Sequence, residues 1–187
     1  VRTAADGETA LALAREAEPD VVVLDLGLPG IDGIEVCRHL RTFSNCYVMM
    51  LTARADEVDM LIGLAVGADD YVTKPFSPRA LVARIRTLLR RPRTSASDAA
   101  GLTEPEVRVF GRLTIDGPAR EVRVDGSVVA LTRTEYELLE TLSSRPRVVF
   151  TRQQLLDRVW DEAADSAPGD EHLVDIHIGH LRRKLGD

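Results

Sequence analysis

Val21-Val22-Val23-Leu24-Asp25, followed one helix later by Tyr47-Val48-Met49-Met50-Leu51-Thr52, decides the fold of this 187-residue chain. Both runs are continuously apolar rather than alternating. Strands covered on both faces read this way, and that burial is the mark of a parallel sheet. Working outward, segments 8–17, 33–43, 57–66 and 78–91 carry apolar residues at helical spacing, and Asp70-Tyr71-Val72-Thr73 reads as a third strand. Strand–helix alternation predicts a doubly wound, flavodoxin-like α/β domain over residues 1–91, with its functional groups at the carboxyl ends of the strands.

Three such ends carry chemistry. Asp25 closes the first strand, Thr52 the second, and Lys74, before Pro75, the third. Each residue alone has an ordinary reading as a turn former, a cap or a solvated cation. Together they suit phosphoryl transfer onto a carboxylate: Asp25 attacks, Lys74 offsets oxygen charge, and Thr52 donates to the new phosphoryl group. Such chemistry calls for Mg2+, a hard cation that takes oxygen ligands.

Residues 92–105 lack periodicity and are rich in small side chains, which predicts a linker. Over 106–187 the texture is that of a small α+β domain. Val107–Ile115, Glu121–Val124 and Val128–Leu131 read as strands separated by Asp116-Gly117-Pro118 and Asp125-Gly126 turns. Thr132 with Glu135 and Thr151 with Gln154 form capping-box patterns ahead of two helices. A last helix runs from about Glu171 to Leu185, with Gly186 placed to end it. A sheet with three helices, the last one long, is the outline of a winged helix.

At about 100° per residue, Val174, Ile178, Leu181 and Leu185 share one side of that helix, and His172, Ile176, Gly179, His180 and Arg183 lie opposite. The first set is the expected core and the second the face that enters a major groove. Arg182 and Lys184 flank Arg183, and Arg145, Arg147 and Arg152 add charge around the preceding loop and helix start. Trp160, the sole tryptophan, has two open readings, a contact to phosphate or core packing.

The charge balance does not by itself favour nucleic acid. The net charge is −6, and residues 94–187 hold 12 Lys/Arg against 17 Asp/Glu, so DNA binding must rest on where the cations sit. No apolar run is long enough to span a membrane and no signal peptide is visible, which predicts a cytoplasmic protein without membrane contact. Cys37 and Cys46 fit no metal spacing and read as reduced, partly buried thiols.

The segments Asp25-Leu26-Gly27-Leu28-Pro29-Gly30-Ile31-Asp32-Gly33, Leu51-Thr52-Ala53-Arg54 and Gly67-Ala68-Asp69-Asp70-Tyr71-Val72-Thr73-Lys74-Pro75-Phe76 resemble receiver domains of the OmpR/PhoB family of response regulators. Leu131-Thr132 with Glu135, and Val174-Asp175-Ile176-His177-Ile178 with Leu181-Arg182-Arg183-Lys184-Leu185, resemble that family's DNA-binding domain. The resemblance implies that Asp25 accepts phosphate from a histidine kinase and that Asp25 and the Gly27 carbonyl ligate Mg2+. It also implies a Thr52–Tyr71 switch pair and a cis Lys74–Pro75 bond. Activation implies a homodimer, with Asp70 and Arg84 in an interchain ion pair and Leu64 and Val82 as apolar contacts. The double-stranded DNA contacts so implied involve Arg152, Trp160, His172, Ile176, Gly179, His180, Arg182 and Arg183. The resemblance also implies RNA polymerase as a candidate partner of the acidic stretch Asp161–Glu171, which otherwise reads as a solvated loop.

Departures are specific. Gly179 and His180 stand where relatives place a polar or basic residue and then Arg. Val1–Ala4 reads as the family's second strand, so the resemblance implies a first strand with a Mg2+-holding acidic pair ahead of it and a wing hairpin beyond Asp187, and Mg2+ binding is expected to be weakened or absent without that pair. Two other functions compete. One is a regulator that binds DNA regardless of phosphate. The other is an aspartate-nucleophile phosphatase, disfavoured because such enzymes want an acid two residues after the nucleophile, where this chain has Gly27.

Overall fold

The computed structural model describes residues 1–53, 62–90, 107–160 and 171–186, and the chain divides into two compact units, Val1–Leu89 and Arg90–Asp187. The expected linker at 92–105, the first part of the helix expected at 57–66 and the acidic stretch 161–170 lie outside the described residues.

In the first unit, β1 (Val21–Asp25), β2 (Tyr47–Ala53) and β3 (Asp70–Lys74) form a parallel sheet in the order β1-β2-β3. The register pairs Asp25 with Leu51 and Ala53 with Lys74, so the three carboxyl ends lie along one edge. Helices α1 (Gly7–Ala17), α2 (Gly33–Arg41) and α3 (Pro78–Arg90) surround the sheet, and residues 62–65 are helical. Asp6 and Asp32 cap α1 and α2 by accepting from the backbone N–H groups of Thr9 and Glu35, each at 2.8 Å.

β2 is the centre of the core, since Tyr47, Val48, Met49 and Met50 are all buried. Leu81, Ile85 and Leu88 of α3 pack on Tyr47 and Met49. The segment entering β3 is fastened by Asp69, which is fully buried. Its Oδ2 accepts from Arg41 Nη2 at 2.6 Å and from the Val48 N–H at 2.8 Å, and Arg41 also donates to the carbonyls of Gly67 and Cys46. A buried carboxylate is tolerable only with such partners. Cys37 and Cys46 are buried free thiols, and burial pushes Cys37 up to about 12, which keeps it protonated and unreactive.

Two expectations are corrected here. Val1–Ala4 is not a strand, because no neighbouring strand hydrogen-bonds to it. β1 is not covered on both faces either: only Leu24 is buried and Val23 is exposed, since β1 stands at the edge of the three-stranded sheet.

In the second unit, β4 (Val107–Phe110), β5 (Leu113–Asp116), β6 (Glu121–Val124) and β7 (Ser127–Val128) form an antiparallel meander. The single strand expected over Val107–Ile115 is two strands, because Gly111 takes a left-handed φ of 58° and turns the chain back. The strand expected at Val128–Leu131 is shorter and earlier, at Ser127–Val128. Asp125 and Gly126 both have positive φ, as a tight hairpin turn of this hand requires.

Helices α4 (Arg133–Ser143), α5 (Arg152–Val159) and α6 (Glu171–Leu185) complete the unit. Both capping boxes form, at Thr132 with Glu135 and at Thr151 with Gln154. The sheet turns Ile115 and Val122 inward with Leu138, Leu139, Leu155, Leu156, Leu173, Val174 and Leu181, all buried. Arg108 ties β4 to α4 through Glu140 and Ser143, and Arg112 Nη2 from the first hairpin donates to the Leu185 and Gly186 carbonyls. That guanidinium satisfies acceptors that the end of α6 leaves open.

Candidate functional site

Asp25 and Lys74 meet at the carboxyl edge of the parallel sheet, with Lys74 Nζ 2.5 Å from Asp25 Oδ2. The Gly27 N–H donates to Asp25 Oδ1 at 3.1 Å, so both carboxylate oxygens are held. Burial raises the Asp25 carboxyl, but the Lys74 ammonium and the Gly27 N–H outweigh it and hold it below the ordinary value. The carboxylate is therefore ionised near neutrality, and at 37% side-chain exposure it is open to an incoming electrophile.

Thr52, at the matching end of β2, is buried, and its hydroxyl donates to the Ala53 carbonyl at 3.2 Å. Tyr71 is half-buried on β3, and the Lys74–Pro75 bond is cis. The floor of the site depends on a residue that the sequence reading passed over. A Cβ on Gly33 would lie 2.3 Å from the Asp25 carbonyl oxygen and 2.9 Å from Leu26 Cα. The first residue of α2 thus touches the backbone that presents Asp25. We expect Gly33→Ala to cost about 1–3 kcal/mol of stability and to slow acyl-phosphate formation, as chemical denaturation and intact mass would report. Wild-type values for both would show that the contact is unimportant.

The one side-chain oxygen donor described at this edge is the Asp25 carboxylate, a hard ligand; the Gly27 carbonyl is the second ligand that the resemblance implies. Among the described residues no group of three potential ligand side chains includes Asp25. Such a set fits a Mg2+ ion that keeps most of its water.

In the second unit the surface of α6 differs from its sequence reading. Leu173, Val174, His177, His180 and Leu181 are buried, so the inward face is rotated toward Leu173 and His177. The expected positions Ile178 and Leu185 are only half-buried. His180 is therefore not on the outward face. It is 7% exposed, and its Nδ1 lies 3.5 Å from Glu135 Oε1, because this carboxylate gives a polar ring an inward partner. The outward stripe is His172, Asp175, Ile176, Gly179, Arg182 and Arg183. A Cβ on Gly179 would meet nothing within 4 Å.

Trp160 is core. It is 5% exposed, ends α5, and packs against His177 in a tilted arrangement with ring centroids 5.6 Å apart. Arg152 is exposed, but its Nε donates to both carboxylate oxygens of Asp175, at 2.8 and 3.0 Å, so it braces α5 against α6. Of the expected dimer residues, Val82 is exposed while Leu64 is 1% exposed and belongs to the core. Arg84 Nη1 reaches both oxygens of Asp70 within the same chain, at 3.3 Å, so this pair is intramolecular here.

Comparison with known proteins agrees with both halves. Residues 1–86 match the response regulator receiver domain, and residues 126–187 match the C-terminal domain of transcriptional regulatory proteins. The transcriptional regulatory protein CseB of Streptomyces avermitilis is 45% identical over 187 residues, covering 97% of this chain and 78% of its own. The DNA-binding response regulator MtrA of Mycolicibacterium smegmatis is 46% identical, covering 96% and 74%. Among solved structures, a mutant form of RitR matches with a TM-score of 0.74 at 29% identity, covering all of this chain and 79% of the other. Among the described residues no helix is long and apolar enough to cross a membrane.

Proposed function

The chain belongs to the OmpR/PhoB family of response regulators, a receiver domain followed by a DNA-binding domain, and on that footing we propose that phosphorylation of Asp25 governs how α6 engages DNA. The observation that carries this reading is the Asp25–Lys74 pair, an ionised and accessible carboxylate beside a fixed cation at the strand ends.

In the phosphoryl transfer, an Asp25 oxygen attacks phosphorus on a kinase phosphohistidine. The new O–P bond forms as the P–N bond breaks, and the imidazole leaves with the electron pair. Lys74 offsets the charge on the phosphoryl oxygens, and the Thr52 hydroxyl turns from the Ala53 carbonyl to donate to one of them. Mg2+, held by Asp25 and the Gly27 carbonyl, would supply further charge neutralisation. Thr52 and Tyr71 then report the modification toward α3, where exposed Val82 offers a contact for a second copy. The activated form is a homodimer acting in the cytoplasm, with a histidine kinase, double-stranded DNA and RNA polymerase as partners.

Of the outward residues of α6, Arg182 and Arg183 supply the cations, Ile176 suits a thymine methyl, and His172 lies at the helix start. Gly179 leaves the middle of this face without a side chain, so the operator should differ from those of relatives with a longer residue there. Arg183→Ala should weaken DNA binding and lower the slope of log affinity against log salt by about one. Fluorescence anisotropy over a salt series measures both, and an unchanged slope and affinity would remove Arg183 from the interface.

A further inference from the structure

We propose that Glu135, His177 and His180 form a buried site for Zn2+ or a similar borderline divalent metal, joining the start of α4 to the middle of α6. Each offers one ligand atom, these atoms all lie within 4.8 Å of one another, and all three residues are buried. The two histidines sit three apart on one helix, a spacing that puts both rings on the same face. Two imidazoles with one carboxylate suit zinc, whereas Mg2+ and Ca2+ take oxygen ligands.

The carboxylate is already oriented for this task. Glu135 Oε2 accepts from the Thr132 N–H at 2.8 Å and from Lys184 Nζ at 2.6 Å, while Oε1 faces His180 Nδ1 at 3.5 Å. One oxygen is thus anchored by donors, and the other is presented to the imidazole. Metal carboxylate ligands elsewhere are fixed by outer hydrogen bonds in the same manner. Bonds of about 2.0–2.1 Å in a tetrahedral site need donors roughly 3.3 Å apart, so the side chains must close by up to about 1.5 Å around the ion. Lys184 is 37% exposed and is free to give its charge to water as the cation enters. The fourth ligand position would be taken by water. A metal here would bind only the folded unit and so stabilise the helix that faces DNA.

The test uses the full chain, stripped with EDTA and titrated with Co2+ and then Zn2+. We expect one tetrahedral Co2+ per chain by its d–d absorption, quenching of Trp160, whose ring packs against His177, and displacement by Zn2+. The urea midpoint followed by Trp160 should rise with Zn2+. His180→Arg places a guanidinium donor opposite Glu135, in place of the imidazole, and so preserves folding in EDTA. It should lose the absorption and the zinc-dependent midpoint shift, with affinity falling by more than the roughly 10–100-fold that loss of an outer-shell partner costs. The variant His39→Gln, at a histidine outside the second unit, should bind Co2+ as the wild type does. Absence of one-to-one binding, equal binding in His180→Arg, or binding without a midpoint shift would each overturn the proposal.

Discussion

Asp25→Asn should gain no phosphoryl group when the full chain is incubated with acetyl phosphate and Mg2+, while the wild type gains one. The effect is all-or-none because an amide cannot form the acyl phosphate, whereas the ionised Asp25 carboxylate is both nucleophilic and 37% exposed. Asparagine can still accept from Lys74 Nζ through its carbonyl oxygen, so the strand ends should keep their arrangement and the variant should remain folded. Intact mass spectrometry reads the result directly, and an equal mass gain in both proteins would remove Asp25 as the acceptor. Lys74→Met should leave some phosphorylation but slow it, since it removes charge stabilisation and not the nucleophile.

The second large effect concerns Glu135, measured with EDTA present so that no metal contributes. Burial raises this carboxyl, but hydrogen bonds from His180, Lys184 and the Thr132 backbone overcome that penalty and bring it from 4.5 to about 2. A depressed carboxyl stabilises the fold above its unfolded value. That contribution is full above about pH 4.5 and is lost as pH falls toward 2. The side chain is 1% exposed, so solvent does not screen the interaction away. Glu135→Ala should therefore destabilise the DNA-binding unit near neutrality by at least the ~1 kcal/mol that a lost helix cap costs. Glu135→Gln should keep the cap but lose the acid-dependent part. Trp160 is the only tryptophan and lies in this unit, so urea unfolding followed by its emission isolates the effect within the full chain. If wild type and Glu135→Gln lost stability in parallel between pH 4.5 and 2, the assignment to Glu135 would fail.

Much of this was readable in the residues because the signals were local. The all-apolar runs at Val21 and Tyr47 located two strands, and a parallel sheet then required Asp25, Thr52 and Lys74 to share an edge. The capping boxes and the Asp125-Gly126 turn were visible because cap and turn chemistry depend on a few adjacent residues.

What escaped the reading depended on contacts distant in sequence. Gly33 lies against the Asp25 backbone only because α2 folds back under the loop. On α6 the hydropathy pattern favoured Ile178 over His177, yet His177 and His180 turn inward, where Trp160 and Glu135 receive them. Leu173, Val174, His177 and Leu181 do follow a helical period, so the buried face could have been found had histidine been allowed a core position. Leu64, which the resemblance implied as a contact between copies, is 1% exposed and packs in the core of its own unit.

The most direct test of the account is DNA affinity of the full chain, at one fixed salt concentration, before and after treatment with acetyl phosphate and Mg2+. Phosphorylated wild type should bind tighter than the untreated protein, and Asp25→Asn should bind equally under both conditions. Equal affinity for treated and untreated wild type, with mass spectrometry showing the phosphoryl group in place, would contradict control of DNA binding by Asp25.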